Sequence, residues 1–101
     1  MDVSSERLGE RVCLHLSGSF DCHSNVGFRN AWRPWLKEKE VGCLTLDFSE
    51  VPYMDSSALG MLLLLRQQAN GAGKQVVLSH CGPDLRRILS IAHFDSIFSI
   101  E

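Results

Sequence analysis

The sequence predicts a single α/β domain, in which a mostly parallel sheet of four to five strands packs with about three helices. Stretches in which apolar and polar residues alternate, as in a half-buried strand, occur in turn with stretches of helical spacing. Strands and helices in this order are joined by right-handed crossovers, which make neighbouring strands parallel. The length of 101 residues suits one hydrophobic core, so we expect residues 1–101 to form one domain.

Two strands and a helix account for the first part of the chain. The pattern predicts a weak strand over Val3–Leu8 and a stronger, clearly alternating one over Arg11–Leu16. Ser24 or Asn25 can cap the helix that follows. Pro34 falls inside the helix pattern and should kink or end the helix. The helix face that we expect to be buried consists of Phe28, Ala31, Trp32, Trp35 and Leu36.

The second part of the chain continues the alternation of strand and helix. Gly42–Phe48 reads as a strand, and Pro52 prevents its continuation. The next helix should run to about Asn70, where Gly71 supplies a C-terminal stop. A buried strand, a helix with proline at its start and a short last strand follow, over Lys74–Ser79, Pro83–Ala92 and Ile97–Ile100.

The start of the long helix can be located from its capping residues. Residues 55–57 are all of types that commonly cap helices. With Asp55 as the cap, Met54 and Leu59 occupy the two positions of a hydrophobic staple, whereas a cap at Ser56 would place an aspartate and a glycine there. We therefore expect Ser56 to be the first helical residue. Its neighbours are then unpaired backbone N–H groups, which favour an anion.

Within this helix, the unbroken apolar run Met61–Leu65 allows two interpretations. The helix is either central and covered, or partly exposed as a partner surface. Both can hold for different residues. We expect Leu59, Leu62 and Leu63 to face inward, and Met61 and Leu64 to lie toward the rim.

Three of the predicted loops should leave from the carboxyl edge of the sheet, where sites in open α/β sheets gather. Asp21 either fixes its own loop through backbone hydrogen bonds or takes part in a site. The residues that these loops should bring together are Asp21, Cys22, His23, Ser56 and His80.

The stretch Met54–Gly60, after a strand that ends Leu-Asp-Phe, resembles the phosphorylation loop of the STAS-domain anti-sigma factor antagonists of the SpoIIAA and RsbV kind. Leu16–Asp21 is similar to the exit of the second strand in that family, and Pro83 with Arg87 to the start of its third helix. The family usually has glycine where this chain has Ala58. The apolar run of the long helix and the end of the chain look most like the stand-alone HsbA-type antagonists of Gram-negative bacteria.

The resemblance implies an anti-anti-sigma factor that acts in a partner switch. Unphosphorylated, such a protein binds an anti-sigma factor or kinase; a partner serine kinase then phosphorylates it, here at Ser56, and a serine phosphatase resets it. The alternative is a non-switching STAS subunit of a larger assembly, such as a lipid-transport complex or a stress scaffold. The residues that we expect to bind the partner are Asp21, Asp55, Ser57, Ala58, Met61 and Leu64.

Composition and motifs argue against several other functions. A net charge of −2 without a basic face argues against nucleic acid. The first residues do not form a signal peptide, and the longest apolar run is too short to span a membrane. Four cysteines in such a chain are typical of reduced thiols, so we expect a cytoplasmic protein.

No motif indicates an enzyme or a cofactor. The sequence around Ser56 lacks the Gly-x-Ser-x-Gly elbow of serine hydrolases, and no glycine-rich phosphate loop occurs. We therefore expect neither catalysis nor a small-molecule substrate. Cys22-His23 and His80-Cys81 would suit zinc if their loops met, but adjacent ligands are awkward for one tetrahedral ion, so we expect no metal.

Overall fold

The computed structural model describes residues 1–101 as a five-stranded sheet with three α-helices. The strands are β1 (Asp2–Leu8), β2 (Arg11–Ser17), β3 (Cys43–Glu50), β4 (Gln75–Ser79) and β5 (Ser99–Ile100). The helices are α1 (Asn25–Trp32), α2 (Ser56–Gly71) and α3 (Pro83–Ile91), and 3-10 turns cover Cys22–Ser24, Arg33–Lys37 and Phe94–Ser96. β1 runs antiparallel to β2, and all other neighbouring strands are parallel. The predicted α/β class with a mostly parallel sheet is confirmed.

The strands have the same order in the sheet as in the chain. Each right-handed crossover therefore moves in the same direction, which places α1, α2 and α3 on one face of the sheet. One hydrophobic core of 23 buried residues lies between this face and the helices. The other face, which we call the open face, has no helix on it and carries small or polar side chains such as Cys13, Thr45 and Asp47.

The centre of the sheet is a row of leucines. Leu14, Leu46 and Leu78 lie in register on three adjacent parallel strands, and each is 0% exposed. Burying a leucine side chain stabilises a fold by roughly 1.5–3 kcal/mol. The alternation predicted in these strands is confirmed, and the row forms a rigid base for the loops at the carboxyl edge.

Phe20 fixes the loop that follows β2. Its side chain is 0% exposed, and its ring centroid lies 4.9 Å from that of Phe28 and 6.3 Å from that of Phe48. Such aromatic pairs contribute about 0.5–1.5 kcal/mol beyond their buried area. The sequence did not indicate this burial, because one apolar residue among polar ones shows no periodicity.

The effect predicted for Pro34 is confirmed. α1 ends at Trp32, and the chain continues as the 3-10 turn Arg33–Lys37. Phe28 and Trp32 are buried, and Trp35 packs against the core while partly exposed. The break in the helix therefore does not interrupt its apolar face.

The inward face of α2 differs from the prediction at Leu63, which is 43% exposed. The buried positions follow the spacing i, i+4, i+7, i+11, typical of a single helix face. Leu63 lies one residue beyond this face, so its side chain is turned by about 100° from it. The buried residues of α2 are Ala58, Leu62, Leu65 and Ala69.

None of the helices has the length and apolarity needed to cross a membrane.

The C-terminal stop of α2 is Gly73 and not Gly71, which is still helical. Gly73 has a φ of +73°, in the left-handed region. Its N–H donates to the carbonyl of Asn70 at 3.1 Å, and the N–H of Lys74 donates to that of Ala69 at 2.8 Å. These two bonds form a Schellman motif, which satisfies carbonyl groups at the end of the helix. The prediction of Gly71 was wrong because two nearby glycines fit the same pattern.

Lys74 follows this motif and is buried, although lysine rarely is. Its Nζ donates to the carbonyl oxygens of Glu38 at 2.6 Å and Val41 at 2.5 Å. The ammonium group thus donates to two backbone carbonyl groups of the segment before β3 and joins this segment to the end of α2. The predicted strand Lys74–Ser79 begins one residue later, at Gln75.

The two glycines provide a matched pair of substitutions. A Cβ at either position meets nothing within 4 Å, so only the backbone conformation distinguishes them. Gly73→Ala should lower the free energy of unfolding by about 1–2 kcal/mol, since left-handed backbone is unfavourable for alanine. Gly71→Ala should raise it by up to about 1 kcal/mol. Urea unfolding measures both, and an equal loss from the two changes would contradict Gly73 as the stop.

Candidate functional site

The candidate site is built where the loops after β2 and β3 run side by side. Phe20 and Met54 form a single parallel β-bridge. The N–H of Phe20 donates to the carbonyl of Tyr53 at 2.9 Å, and the N–H of Asp55 donates to the carbonyl of Phe20 at 3.2 Å. These bonds hold the two loops together, so Asp21, which follows Phe20, belongs to the loop that lies beside the start of α2.

Asp55 caps α2, as predicted. Its backbone is extended, and its Oδ1 accepts a hydrogen bond from the N–H of Ala58 at 3.1 Å. Ser56 is the first helical residue and is exposed. The N–H groups of Ser56 and Ser57 have no acceptor, as expected in a first helical turn. An exposed hydroxyl therefore lies at a helix N-terminus that favours negative charge.

Asp21 fixes its own loop, which is one of the two roles that the sequence left open. Its carboxylate accepts from the N–H of His23 at 3.0 Å, and its N–H donates to the hydroxyl of Ser24 at 3.3 Å. This reciprocal capping box holds the 3-10 turn Cys22–Ser24. The side chain of Asp21 thus caps the 3-10 turn. Ser24 precedes α1 directly, but its side chain makes no capping hydrogen bond to that helix.

The predicted partner-binding residues differ in exposure. Ala58 is 0% exposed, so it supports the site from within and cannot contact a partner; that expectation is corrected. The cause is its place on the inward face of α2, four residues before Leu62. The half-buried ones are Asp21, Asp55, Ser57, Met61 and Leu64.

A groove between α1 and α2 extends from this surface. A hollow of about 310 Å³ is lined by Ser57, Met61 and Cys22, among others, and a larger one of about 860 Å³ follows along α2. Arg29 and Leu64 line both hollows, so the two form one groove. The sequence did not indicate the groove, because it depends on how two helices pack.

The larger hollow is cationic and has unused hydrogen-bond donors. Arg29, Arg33 and Lys37 line it together with Trp32. The Nε of Arg29 and the Nε1 of Trp32 are both buried without an acceptor. Buried donors are costly when unsatisfied, so this wall is suited to a carbonyl or an anionic group of a partner.

The loop residues considered for zinc do not form a common site. Cys22 lines the small hollow, whereas Nδ1 of His80 lies 3.2 Å from Oδ1 of Asp47 on the open face. Burial raises the pKa of Cys81 to about 11, although the charge of Arg86 opposes this shift. His80 therefore pairs with Asp47 on the open face and is not among the residues around Ser56, against the expectation that the two are neighbours in one site.

A second group of ionisable side chains lies on the open face. Hydrogen bonds to Asp47 and Glu6 raise the pKa of His15. Burial of Asp47 favours its protonated form, but hydrogen bonds from the N–H of Ser49 and from His15 outweigh burial and lower its pKa. Asp47 is therefore ionised at neutral pH.

Similarity to known proteins identifies the family of this chain. The chain matches the STAS domain model over residues 2–101. It is 38% identical over 94 residues to a STAS-domain containing protein of Pseudomonas aeruginosa strain UCBPP-PA14, covering 92% of this chain and 90% of that protein. The chain therefore belongs to the STAS domain family.

Solved structures agree in fold. An anti-sigma factor antagonist from Mycobacterium paratuberculosis has a TM-score of 0.79 at 21% identity, over 97% of this chain and 82% of that one. The antagonist SpoIIAA in its unphosphorylated form and the Bacillus SpoIIAA in its phosphorylated form both give 0.74 at 19% identity, over 98% of this chain and 86% and 90% of theirs. The fold is SpoIIAA-like; identities this low show the fold alone.

The cap can be tested by substitution. Asp55→Ala should lower the free energy of unfolding by about 1 kcal/mol, because the N–H of Ala58 loses its acceptor. Asp55→Ser keeps a capping oxygen and should change it by only a few tenths of a kcal/mol. Urea unfolding of both variants and of Ser56→Ala gives the comparison. A larger loss for Ser56→Ala than for Asp55→Ala would contradict Asp55 as the cap.

Thiol reactivity tests the packing of the loop after β4. Cys81 is buried with a pKa of about 11, so it should be the slowest of the four cysteines to react with iodoacetamide at neutral pH. Cys22 is the exposed one and should react first. Peptide mass spectrometry over time, with a urea-unfolded sample as control, measures the order. Early labelling of Cys81 in the folded protein would contradict its burial.

Proposed function

We propose that this STAS domain is an anti-sigma factor antagonist that acts in a partner switch. Unphosphorylated, it binds an anti-sigma factor or serine kinase; phosphorylation of Ser56 releases it, and a serine phosphatase restores binding. The observation that carries the proposal is the exposed hydroxyl of Ser56 on the first residue of a helix capped by Asp55. Membership of the STAS family and the two described forms of SpoIIAA support it.

The chain acts as the substrate of the switch and not as an enzyme. The partner kinase binds ATP and transfers its γ-phosphoryl group to Oγ of Ser56, which leaves ADP, while a base of the kinase takes the hydroxyl proton. This chain supplies the acceptor and the docking surface. Sigma factors act in the cytoplasm, so we place the protein there, without nucleic acid among its partners.

The fold should tolerate the phosphate. Phosphorylation adds about −1.5 to −2 charges at neutral pH. Ser56 is exposed, and the free N–H groups of the first turn of α2 can donate to phosphate oxygens. The domain should therefore remain folded, and the effect of the phosphate should fall on the interface.

The partner surface should not tolerate the phosphate. In the proposed complex, the half-buried Asp55 and Ser57, with Met61 and Leu64 further along α2, lie against the partner. A phosphate on Ser56 must lose its water on docking and adds charge beside Asp55. One unit charge about 4 Å from a like charge costs roughly 4 kcal/mol at an effective dielectric constant of 20.

The second candidate function is a non-switching STAS subunit of a larger assembly, such as a lipid-transport complex or a stress scaffold. The larger hollow favours it, because its cationic wall lies along α2 away from Ser56. A partner bound there would be insensitive to phosphorylation. Phosphopeptide mapping of protein from cells separates the two functions.

The switch is tested by affinity. Ser56→Ala should bind the anti-sigma factor constitutively, and phosphorylation of the wild type should weaken binding by about a thousandfold, which corresponds to roughly 4 kcal/mol. Ser56→Asp should weaken it less, because it carries only one negative charge. Affinity capture with Ser56→Ala identifies the partner, and titration calorimetry against it compares the forms.

Ser90→Ala is the matched control, since it removes an exposed hydroxyl of α3, outside the proposed partner surface, and leaves the phosphorylation site intact, so the affinity should not change. Circular dichroism of the phosphorylated form should show an unchanged fold. Equal affinities of the phosphorylated and unphosphorylated proteins would contradict the switch mechanism, even if Ser56 were phosphorylated in cells.

A further inference from the structure

Three metal-binding types of side chain meet on the open face of the sheet. Cys13 and His15 lie two residues apart on β2, so both point to the same face. Asp47 lies on β3 directly beside His15 in the parallel register. The backbone pairing of two central strands, and not a flexible loop, thus fixes the relative positions of a thiol, an imidazole and a carboxylate.

The distances between their ligand atoms are short. Nδ1 of His15 lies 2.9 Å from Oδ2 of Asp47 and 3.8 Å from Sγ of Cys13. All three ligand atoms lie within 4.8 Å of one another, and no other group of three or more such residues in the chain does so. Zinc bonds of about 2.0–2.3 Å in a tetrahedral site require ligand atoms roughly 3.2–3.8 Å apart.

We propose that Cys13, His15 and Asp47 form a binding site for one divalent transition-metal ion, preferentially zinc. Thiolate, imidazole and carboxylate together are the ligands of zinc, whereas magnesium and calcium take oxygen ligands. The distance from Sγ to Nδ1 already fits a common ion. The distance from Nδ1 to Oδ2 must widen by a few tenths of an ångström, which the half-exposed ring of His15 permits.

The groups around the site are those that orient metal ligands. Nε2 of His15 lies 3.4 Å from a carboxylate oxygen of Glu6, an arrangement that fixes the ring and makes its other nitrogen a better ligand. Oδ1 of Asp47 accepts from the N–H of Ser49 at 3.0 Å and lies 3.2 Å from Nδ1 of His80, which leaves Oδ2 for the ion.

The surroundings of the site also favour a metal. The side chain of Asp47 is only 14% exposed, and the neighbouring Thr45 and Val77 are buried, so water is partly excluded around the ion. An ion pair between His15 and Asp47 does not require a cysteine, yet Sγ of Cys13 lies 3.8 Å from Nδ1 of His15. The sequence led us to expect no metal, because adjacent ligands in the two cysteine–histidine pairs considered there are awkward for one tetrahedral ion. The site proposed here does not depend on the proposed switch.

The test uses the full chain, stripped of metal with a chelator and titrated with Co²⁺ and Zn²⁺ alone. The wild type should bind one equivalent of Co²⁺ with the visible bands of tetrahedral cobalt and a thiolate-to-cobalt charge-transfer band. Zn²⁺ should displace it and raise the melting temperature. Cys13→Ser should abolish the charge-transfer band and weaken zinc binding by at least about tenfold, and Glu6→Gln should weaken it by about tenfold.

Cys43→Ser is the matched control, because Cys43 is a half-buried thiol on the same face of the adjacent strand. It should leave the band, the stoichiometry and the affinity unchanged. Absence of a thiolate band in wild-type protein would overturn the proposal without any variant. So would loss of the band in Cys43→Ser, or zinc affinity in a folded Cys13→Ser equal to that of the wild type.

Discussion

The parallel pairing of Phe20 with Met54 is the contact on which the candidate site depends. It joins two loops that are separated by more than thirty residues of sequence, and the buried ring of Phe20 fixes this pair to the core. Asp55 follows Met54 directly and caps α2, so the same short stretch ends the sheet and begins the helix. The position of Ser56 is therefore set by hydrophobic packing behind it, and its hydroxyl can be modified without disturbing that packing.

The topology divides the molecule into two chemically different faces. Because every crossover runs in the same direction, all the helices lie on one side, and the groove between α1 and α2 belongs to that side. On the open face, the alternate strand residues range from buried Thr45 to half-exposed His15. In β3, Leu46 and Phe48 point into the core while Asp47 points to the open face, so one strand supports both faces.

The sequence predicted the features that depend on local pattern. The fold class, the effect of Pro34 and the cap at Asp55 follow from periodicity and capping chemistry within a few residues. The predictions for Gly71 and Leu63 were wrong because each required a choice between residues one or two positions apart that fit almost equally well. The burial of Phe20, the groove beside Arg29 and the contact of His15 with Asp47 involve partners far apart in sequence. No local pattern contains them, since they depend on strand register and on helix packing.

The two proposed sites should act independently, although both depend on β3. A phosphate on Ser56 lies beyond the end of this strand, at a helix terminus that already favours negative charge. An ion on the open face would be held by residues whose backbones pair across β2 and β3. Coupling between the sites would require β3 to move, yet its inward residues Leu44, Leu46 and Phe48 are at most 1% exposed. Packed cores resist such displacement, so a metal would stabilise the domain without setting the state of the switch.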